Sequence, residues 1–241
     1  MKQVDSIYNR SGSPVSSQQL VISRFVSRTY GWMFIGLLVT GLISLEIAGS
    51  ANALQFIFGN KIVFYLLMFA EIGLVLALTA WMPRLSASAA MLGFLGYSAL
   101  NGVTLSIIFL TYSMNSIGQV FLISAGMFGG LAFFGTVTRK DLTGMGSFVG
   151  MGVWGLILVG LVNLWIQSDA LSMGMAVVGV LVFSGLTAYN AQQIRALACQ
   201  YAGSGSEQNQ AKGAIFGALT LYLNFINLFL SLLRLFGSRR N

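Results

Sequence analysis

Residues 212–236 read KGAIFGALTLYLNFINLFLSLLRLF, a stretch long enough to cross a membrane as one helix, since about 20 apolar residues span the hydrocarbon. The polar side chains within this stretch recur every three or four residues, which places them on one helix face. They are Thr220, Asn224, Asn227, Ser231 and Arg234. An amide without a hydrogen-bond partner is costly in hydrocarbon. This polar stripe therefore predicts a central helix with other helices packed around it.

Two interpretations of the polar stripe are open at this point. Its side chains could hydrogen-bond to neighbouring helices and so hold the bundle together. They could instead line a polar pathway through the membrane. Residue type alone does not separate the two.

The composition predicts a membrane protein of the all-α, polytopic class. Of the 241 residues, 56% are hydrophobic and 8% are charged, against about 25% charged in soluble domains. There is no histidine and a single cysteine, which excludes a zinc site built from His and Cys, an intrachain disulfide and a His-dependent catalytic triad. We expect no enzyme, no cofactor and no tightly bound metal. The net charge of +7 comes from basic residues in tails and short loops, so nucleic acid is not an expected partner.

The hydropathy pattern predicts seven membrane spans after a polar tail. Residues 1–20 are expected to form a disordered cytoplasmic tail, and residues 21–241 a seven-helix transmembrane domain. A polar Gly/Ser loop is expected at residues 199–210. The predicted spans are residues 30–48, 62–82, 87–111, 117–137, 148–165, 173–194 and 214–236.

The distribution of Lys and Arg predicts the orientation of the chain. With a cytoplasmic N-terminus, nine of these residues fall on the cytoplasmic side and three on the other, as the positive-inside rule requires. The C-terminus is then outside. Arg239 and Arg240 are the exception to the rule, because they follow the last span on the outer side.

Glu71 is the one acidic residue well inside a predicted span. An ionisable group at that depth is a candidate for function. The alternative is a protonated carboxyl, or one bonded to a buried hydroxyl or amide. We favour the functional interpretation.

The sixth and seventh spans are expected to bring two amides together. Asn190 shares a helix face with Ser184 and Thr187, and Asn224 lies two to three turns inside the antiparallel seventh helix. We therefore expect Asn190 and Asn224 to meet near the cytoplasmic third of the bundle. Arg84 is expected at a similar level. Polar residues on the third span that could complete this interior are Ser98, Asn101 and Thr104.

Two motifs in these spans make the chain similar to a known family. GLTAYNAQQI at residues 185–194 and GALTLYLNFINLFLSLLRLFG at residues 217–237 resemble the Bax inhibitor-1 family, chiefly its bacterial members. TRKDLTGMGSF at residues 138–148 and RTYGWMFIGLL at residues 28–38 extend the resemblance over nearly the whole chain after the tail. The resemblance implies seven helices, the seventh central and surrounded by six. It also implies a pH-gated leak of cations, chiefly calcium, in the bacterial inner membrane.

The chain departs from the pattern of that family at two positions. Asn190 and Asn224 stand where the family has a pair of aspartates that shares a proton and senses cytoplasmic pH. Asparagine keeps the size and the carbonyl of aspartate but does not titrate in this range, and it cannot form the ionic latch expected with Arg84. Without negative charge, the site should bind Ca²⁺ only weakly and transiently. We therefore hypothesise the family's pathway with its pH switch disabled.

Two functions follow from the residues and the resemblance. In the first, Asn190, Asn224, Glu71 and Arg84 form the pathway and gate of a cation leak. The supporting polar face consists of Thr187, Thr220, Asn227 and Asn101. In the second, the chain transports nothing and restrains a membrane-bound ATP-dependent protease or another membrane partner through its polar tail.

Overall fold

The computed structural model describes residues 17–204 and 206–240, which form helices joined by short connections. Ser50 and Asn60 are the N-caps of the second and third helices, where their side chains accept hydrogen bonds from backbone N–H groups. The sequence Met82–Arg84 forms a 3-10 turn. The α-helices are α1 (Ser17–Gly49), α2 (Ala51–Phe58), α3 (Lys61–Trp81), α4 (Ala87–Leu105), α5 (Ile108–Thr111), α6 (Met114–Val137), α7 (Thr143–Ile166), α8 (Asp169–Ser204) and α9 (Glu207–Phe236).

The seven predicted spans are confirmed. Seven segments of the described chain are long and apolar enough to cross a membrane, the third being α4 together with α5. Several helices run beyond the predicted bounds, because hydropathy marks only the turns that lie in hydrocarbon, whereas helical hydrogen bonding continues into water. The loop predicted at residues 199–210 is mostly helix, since α8 ends at Ser204 and α9 begins at Glu207. Likewise α1 begins at Ser17, inside the predicted tail, and residues 1–16 lie outside the described part.

The last helix is the central one, as predicted. In α9, 67% of the most apolar window is buried, against 6% to 39% in the other six spans. It packs directly against α1, α4, α6 and α8, whereas α3 packs behind α4 and α7 behind α8. Six helices therefore surround α9, but four of them form its principal contacts. Its fully buried side chains include Leu221, Tyr222 and Leu228.

A glycine allows α6 and α8 to approach closely. A Cβ added at Gly135 would overlap the backbone carbonyl of Ala188. The absence of a side chain at Gly135 therefore permits backbone contact between the two helices, as small residues commonly do in membrane bundles. This contact fixes α6 beside the segment of α8 that carries Asn190.

Candidate functional site

The polar stripe of α9 faces a cavity along most of its length. The cavity has a volume of about 770 Å³ and lies between α7, α8, α9 and the α4–α5 junction. Asn224, Asn227, Ser231 and Arg234 line it. Asn224 is 5% exposed, and its Nδ2 is buried without a hydrogen-bond partner among the described residues. The wall of the cavity therefore holds a buried hydrogen-bond donor without a partner among the described residues.

Three of the other four side chains of the stripe donate to carbonyls of their own helix. Thr220 Oγ1 donates to the Phe216 carbonyl at 3.0 Å, Asn227 Nδ2 to the Leu223 carbonyl at 2.8 Å, and Ser231 Oγ to the Asn227 carbonyl at 2.7 Å. Such bonds to the preceding turn satisfy polar side chains without joining helices. At these three positions no hydrogen bond from the stripe joins α9 to another helix within the part of the chain that the structure describes.

The register of α8 against α9 places Asn190 and Asn224 at different levels. A Cβ at Gly179 would lie 2.5 Å from the Ser231 hydroxyl, and one at Gly217 would lie 3.3 Å from Ile194. Because the helices are antiparallel, these contacts set Asn190 opposite the turn that precedes Asn224, an offset of roughly 5 Å along the axis.

No hydrogen bond joins the two amides of Asn190 and Asn224 among the described residues. Asn224 instead shares the cavity wall with Leu186, one turn before Asn190 on α8. Thr187 is fully buried, and its hydroxyl donates to the Phe183 carbonyl at 2.7 Å. The two amides lie on the same pair of helices, as predicted, but about one turn apart.

A second polar cluster surrounds Tyr222, a residue that the stripe pattern missed. Tyr222 is fully buried, and its hydroxyl donates to Asn101 Oδ1 at 3.1 Å and lies 2.6 Å from the Thr40 hydroxyl. Thr40 also donates to the Ser98 carbonyl at 2.8 Å. Tyr222 precedes Asn224 by two residues, about 200° around a helix, so it points away from the stripe. The only sequence signal was a tyrosine among aliphatic residues.

Glu71 belongs to the Tyr222 side of α9. Its carboxyl lies near the Thr104 hydroxyl and near the rings of Tyr97 and Tyr222. One carboxyl oxygen, Oε1, is buried and has no hydrogen-bond partner among the described residues. The structure thus groups Glu71 with Asn101 and separates both from the cavity that Asn224 lines.

Arg84 is exposed and lies at the end of the 3-10 turn after α3. It takes part in neither of the ion pairs found among the described residues, which both involve Asp169. Since α3 packs behind α4, Arg84 is carried by an outer helix rather than by one that contacts Asn190.

Two of the recognised motifs meet at the α6–α7 connection. Gln192 Oε1 accepts from the Leu142 N–H at 3.0 Å, and Gln192 Nε2 donates to the Lys140 carbonyl at 2.8 Å. Arg195 donates to the Thr136 carbonyl. Hydrogen bonds from Thr143 hold the pKa of the exposed Asp141 carboxyl below its usual range. Residue spacing did not predict this contact, since 50 residues separate Gln192 from its partner.

Comparison with known proteins agrees with the motifs. A family model described as "Inhibitor of apoptosis-promoting Bax1" matches residues 22–241. The chain is 42% identical over 219 residues to the inner membrane protein YbhL of Escherichia coli strain K12, an alignment that covers 91% of this chain and 93% of YbhL. It is 39% identical over 222 residues to an uncharacterized protein of Borreliella burgdorferi, with 92% and 95% covered. The chain, with six apolar helices around a buried seventh, belongs to the Bax inhibitor-1 family.

Proposed function

We propose that the chain is a passive cation leak of a bacterial inner membrane, with calcium among its ions and with a gate at Asn190 and Asn224. The observation that supports the proposal is the Asn224 amide nitrogen, which has no partner among the described residues and is buried in the wall of a cavity of about 770 Å³. Buried polar groups without protein partners commonly mark sites for water or a ligand. An intramembrane cavity lined by a polar stripe is a suitable vestibule for hydrated ions.

The chemistry of the cavity predicts a slow leak that does not respond to pH. Asn190 and Asn224 carry no charge at any physiological pH. Among the described residues that line the cavity there is Arg234 and no carboxylate. A divalent cation prefers oxygen ligands that include carboxylates, so it should occupy this vestibule only briefly. Glu71 lies on the other side of α9 and is not among the residues that line this cavity.

The proposal also gives the orientation of the chain in the membrane and treats the chain as a non-enzyme. The bias of Lys and Arg supports a cytoplasmic N-terminus and an external C-terminus. Asn190 then lies closer to the cytoplasm than the cavity does, which suits a gate at the inner end of an outward-facing vestibule. We propose no catalytic activity for the chain.

The test restores both carboxylates by Asn190→Asp with Asn224→Asp. Calcium flux into proteoliposomes that contain a calcium dye is measured between about pH 6 and pH 8, because two nearby carboxylates retain a shared proton in this range. We expect the unaltered chain to show a small flux that is constant with pH. The doubly substituted chain should show a larger flux that changes with pH.

The control variant is Asn209→Asp, which adds one charge at the exposed start of α9 and should leave the flux unchanged. If restoring both carboxylates leaves the flux unaltered over the whole pH range, the gate is not at these residues.

A second candidate is a regulatory protein without transport, and one observation favours it. The cavity lining on α9 stops at Leu223, and the turn before it is fully buried at Ala218, Leu219 and Tyr222. A sealed layer of this kind is also what a non-conducting bundle would have. In that case the chain would restrain a membrane-bound ATP-dependent protease or another membrane partner.

A further inference from the structure

The end of the chain is held against the mouth of the cavity by backbone hydrogen bonds. Residues 237–240, here called the C-terminal strap, lie along the α5–α6 connection. The Ser113 N–H donates to the Ser238 carbonyl at 3.1 Å, and the Arg240 N–H donates to the Thr111 carbonyl at 2.9 Å. The Ser238 N–H donates to Ser116 Oγ at 2.9 Å. Thr111 and Tyr112 also line the cavity, so the strap is fixed to its rim.

The strap places a cluster of arginines at this rim. Arg239 and Arg240 join Arg234, and all three side chains are exposed. Asp169 lies 3.9 Å from Arg234 and 3.8 Å from Arg239, and its own side chain is 87% exposed. Ion pairs this exposed are weak. Three positive charges and one negative charge leave the rim positive, and these arginines are the ones that the positive-inside rule does not explain.

Below the arginine rim, the cavity is an apolar groove that is open to the side. Its walls are mainly aliphatic and aromatic side chains of α7, α8 and α9, among them Ile157, Phe183 and Leu230. Helix α7 packs against α8 and leaves the flank of α9 uncovered, and Ile157 is 46% exposed. From Arg234 to Asn224 the groove follows ten residues of α9, about 15 Å. It is thus an elongated apolar groove with a cationic end.

We propose that this groove and its arginine rim bind an anionic phospholipid. One acyl chain lies in the groove between α7 and α9, and the phosphate pairs with Arg234 and Arg239 at the rim. Basic clusters at a membrane surface attract anionic lipids, and an apolar groove open to the bilayer can take the chain. A free phosphate would engage the rim alone and leave the groove unfilled. This groove is the same cavity as the proposed ion vestibule, so a bound acyl chain would fill the space that hydrated ions need, and lipid and ion are alternative occupants of it.

The test reads chain occupancy by the quenching of one tryptophan in lipid nanodiscs. Phe183→Trp places the reporter in the wall of the groove, in a chain whose four native tryptophans are replaced by phenylalanine. Brominated phosphatidylglycerol or brominated phosphatidylcholine is added at low fraction to unlabelled phosphatidylcholine. The native tryptophans replaced are Trp32, Trp81, Trp154 and Trp165.

We expect stronger quenching by the brominated anionic lipid than by the brominated zwitterionic one. Replacing Arg234, Arg239 and Arg240 by glutamine should remove the preference, with about a fivefold loss for each arginine that contacts phosphate. Two controls match this design. A reporter at Phe133, which is 70% exposed on α6, should show no preference. Arg24→Gln with Arg28→Gln, at the exposed start of α1, should leave the preference at Phe183 intact.

A second measurement uses the chain with its four native tryptophans in place. Native mass spectrometry of the unaltered chain should retain one phosphatidylglycerol through mild detergent, and the triple arginine variant should lose it. Inorganic phosphate should not compete with that lipid. Equal quenching by the two lipids at Phe183, or an unchanged preference in the triple variant, would overturn the proposal. Calcium flux of the same variants is measured separately in proteoliposomes, so a failed lipid site is distinguishable from a failed leak.

Discussion

At the scale of single residues, position decides what an identical side chain does. Asn224 and Asn227 lie on the same face of α9, yet Asn227 donates to the Leu223 carbonyl and Asn224 Nδ2 has no partner among the described residues. The carbonyl one turn before Asn224 belongs to Thr220, whose own hydroxyl bonds to Phe216. An amide that donates to a carbonyl of its own helix has its hydrogen bond satisfied. An amide donor without a partner can bond to water or a ligand.

The Tyr222 hydroxyl is expected to stabilise the bundle. Tyr222→Phe removes the bond to Asn101 Oδ1 and the contact with Thr40, so the half-buried Asn101 Oδ1 loses its tyrosine donor. We predict a loss of about 1 to 2 kcal/mol in the free energy of unfolding. The measurement is a titration with denaturing detergent in mixed micelles.

The matched control for this prediction is Thr220→Val on the same helix. The Thr220 hydroxyl bonds only within α9, so its loss should change the unfolding free energy by less than about 0.5 kcal/mol. Equal losses in the two variants would contradict a special role for the Tyr222 cluster.

The site residues that could be predicted from sequence are those whose chemistry conflicts with their surroundings. Asn224 is conspicuous because an unpaired amide is costly within an apolar membrane helix. The stripe pattern predicted which face of the helix it lies on. Tyr222 does not stand out, since tyrosine is common in membrane helices and lies off the stripe. Gln192 sits in a recognised motif, but its partner is a loop far away along the chain. Long-range pairing of this kind has no local signature.

At the scale of helices, backbone contacts set which segments face each other. Helix α6 touches α8 through Gly135 and the Ala188 carbonyl, while Gln192 and Arg195 tie the end of α6 and its following loop to α8. Hydropathy found all seven spans, but it could not find the ends of α1 and α8. Those ends are polar, and their helical structure depends on hydrogen bonding outside the hydrocarbon.

Gly135→Ala is expected to destabilise the α6–α8 contact. The added Cβ would meet the Ala188 backbone, and a backbone obstacle cannot move aside as a side chain can. We predict a cost of about 1 to 3 kcal/mol in unfolding free energy, measured by the same detergent titration.

Gly130→Ala on the same helix is the control. A Cβ at Gly130 would meet no heavy atom within 4 Å, and alanine favours helix over glycine by about 1 kcal/mol. This variant should be neutral or slightly more stable. A larger loss at Gly130 than at Gly135 would show that close helix contact is not what Gly135 provides.

At the scale of the whole molecule, α9 separates two polar regions. The cavity with Asn224 and Arg234 lies toward α7 and α8, and the cluster with Tyr222, Asn101 and Glu71 lies toward α1, α3 and α4. The sequence predicted one polar interior, because residue spacing gives a direction on each helix but not the rotation of one helix against the next. The family resemblance predicted the central helix, and burial along α9 confirms it.

Removal of residues 2–16, which precede α1, distinguishes the two candidate functions. The leak proposal predicts unchanged calcium flux, since the pathway lies wholly within the helices. The regulatory alternative predicts no flux in either chain and loss of the protease partner from affinity purification after the deletion. A marked fall in flux caused by the deletion alone would contradict the leak as proposed.

The central position of α9 has a consequence for how the protein is made. This helix comprises the last 30 helical residues of the chain, and synthesis proceeds from the N-terminus. Thr40, Asn101 and the inner faces of six helices therefore lie in the bilayer without their partner until α9 itself has been synthesised. A product truncated before α9 would leave those groups uncovered, which makes it a natural substrate for cellular quality control.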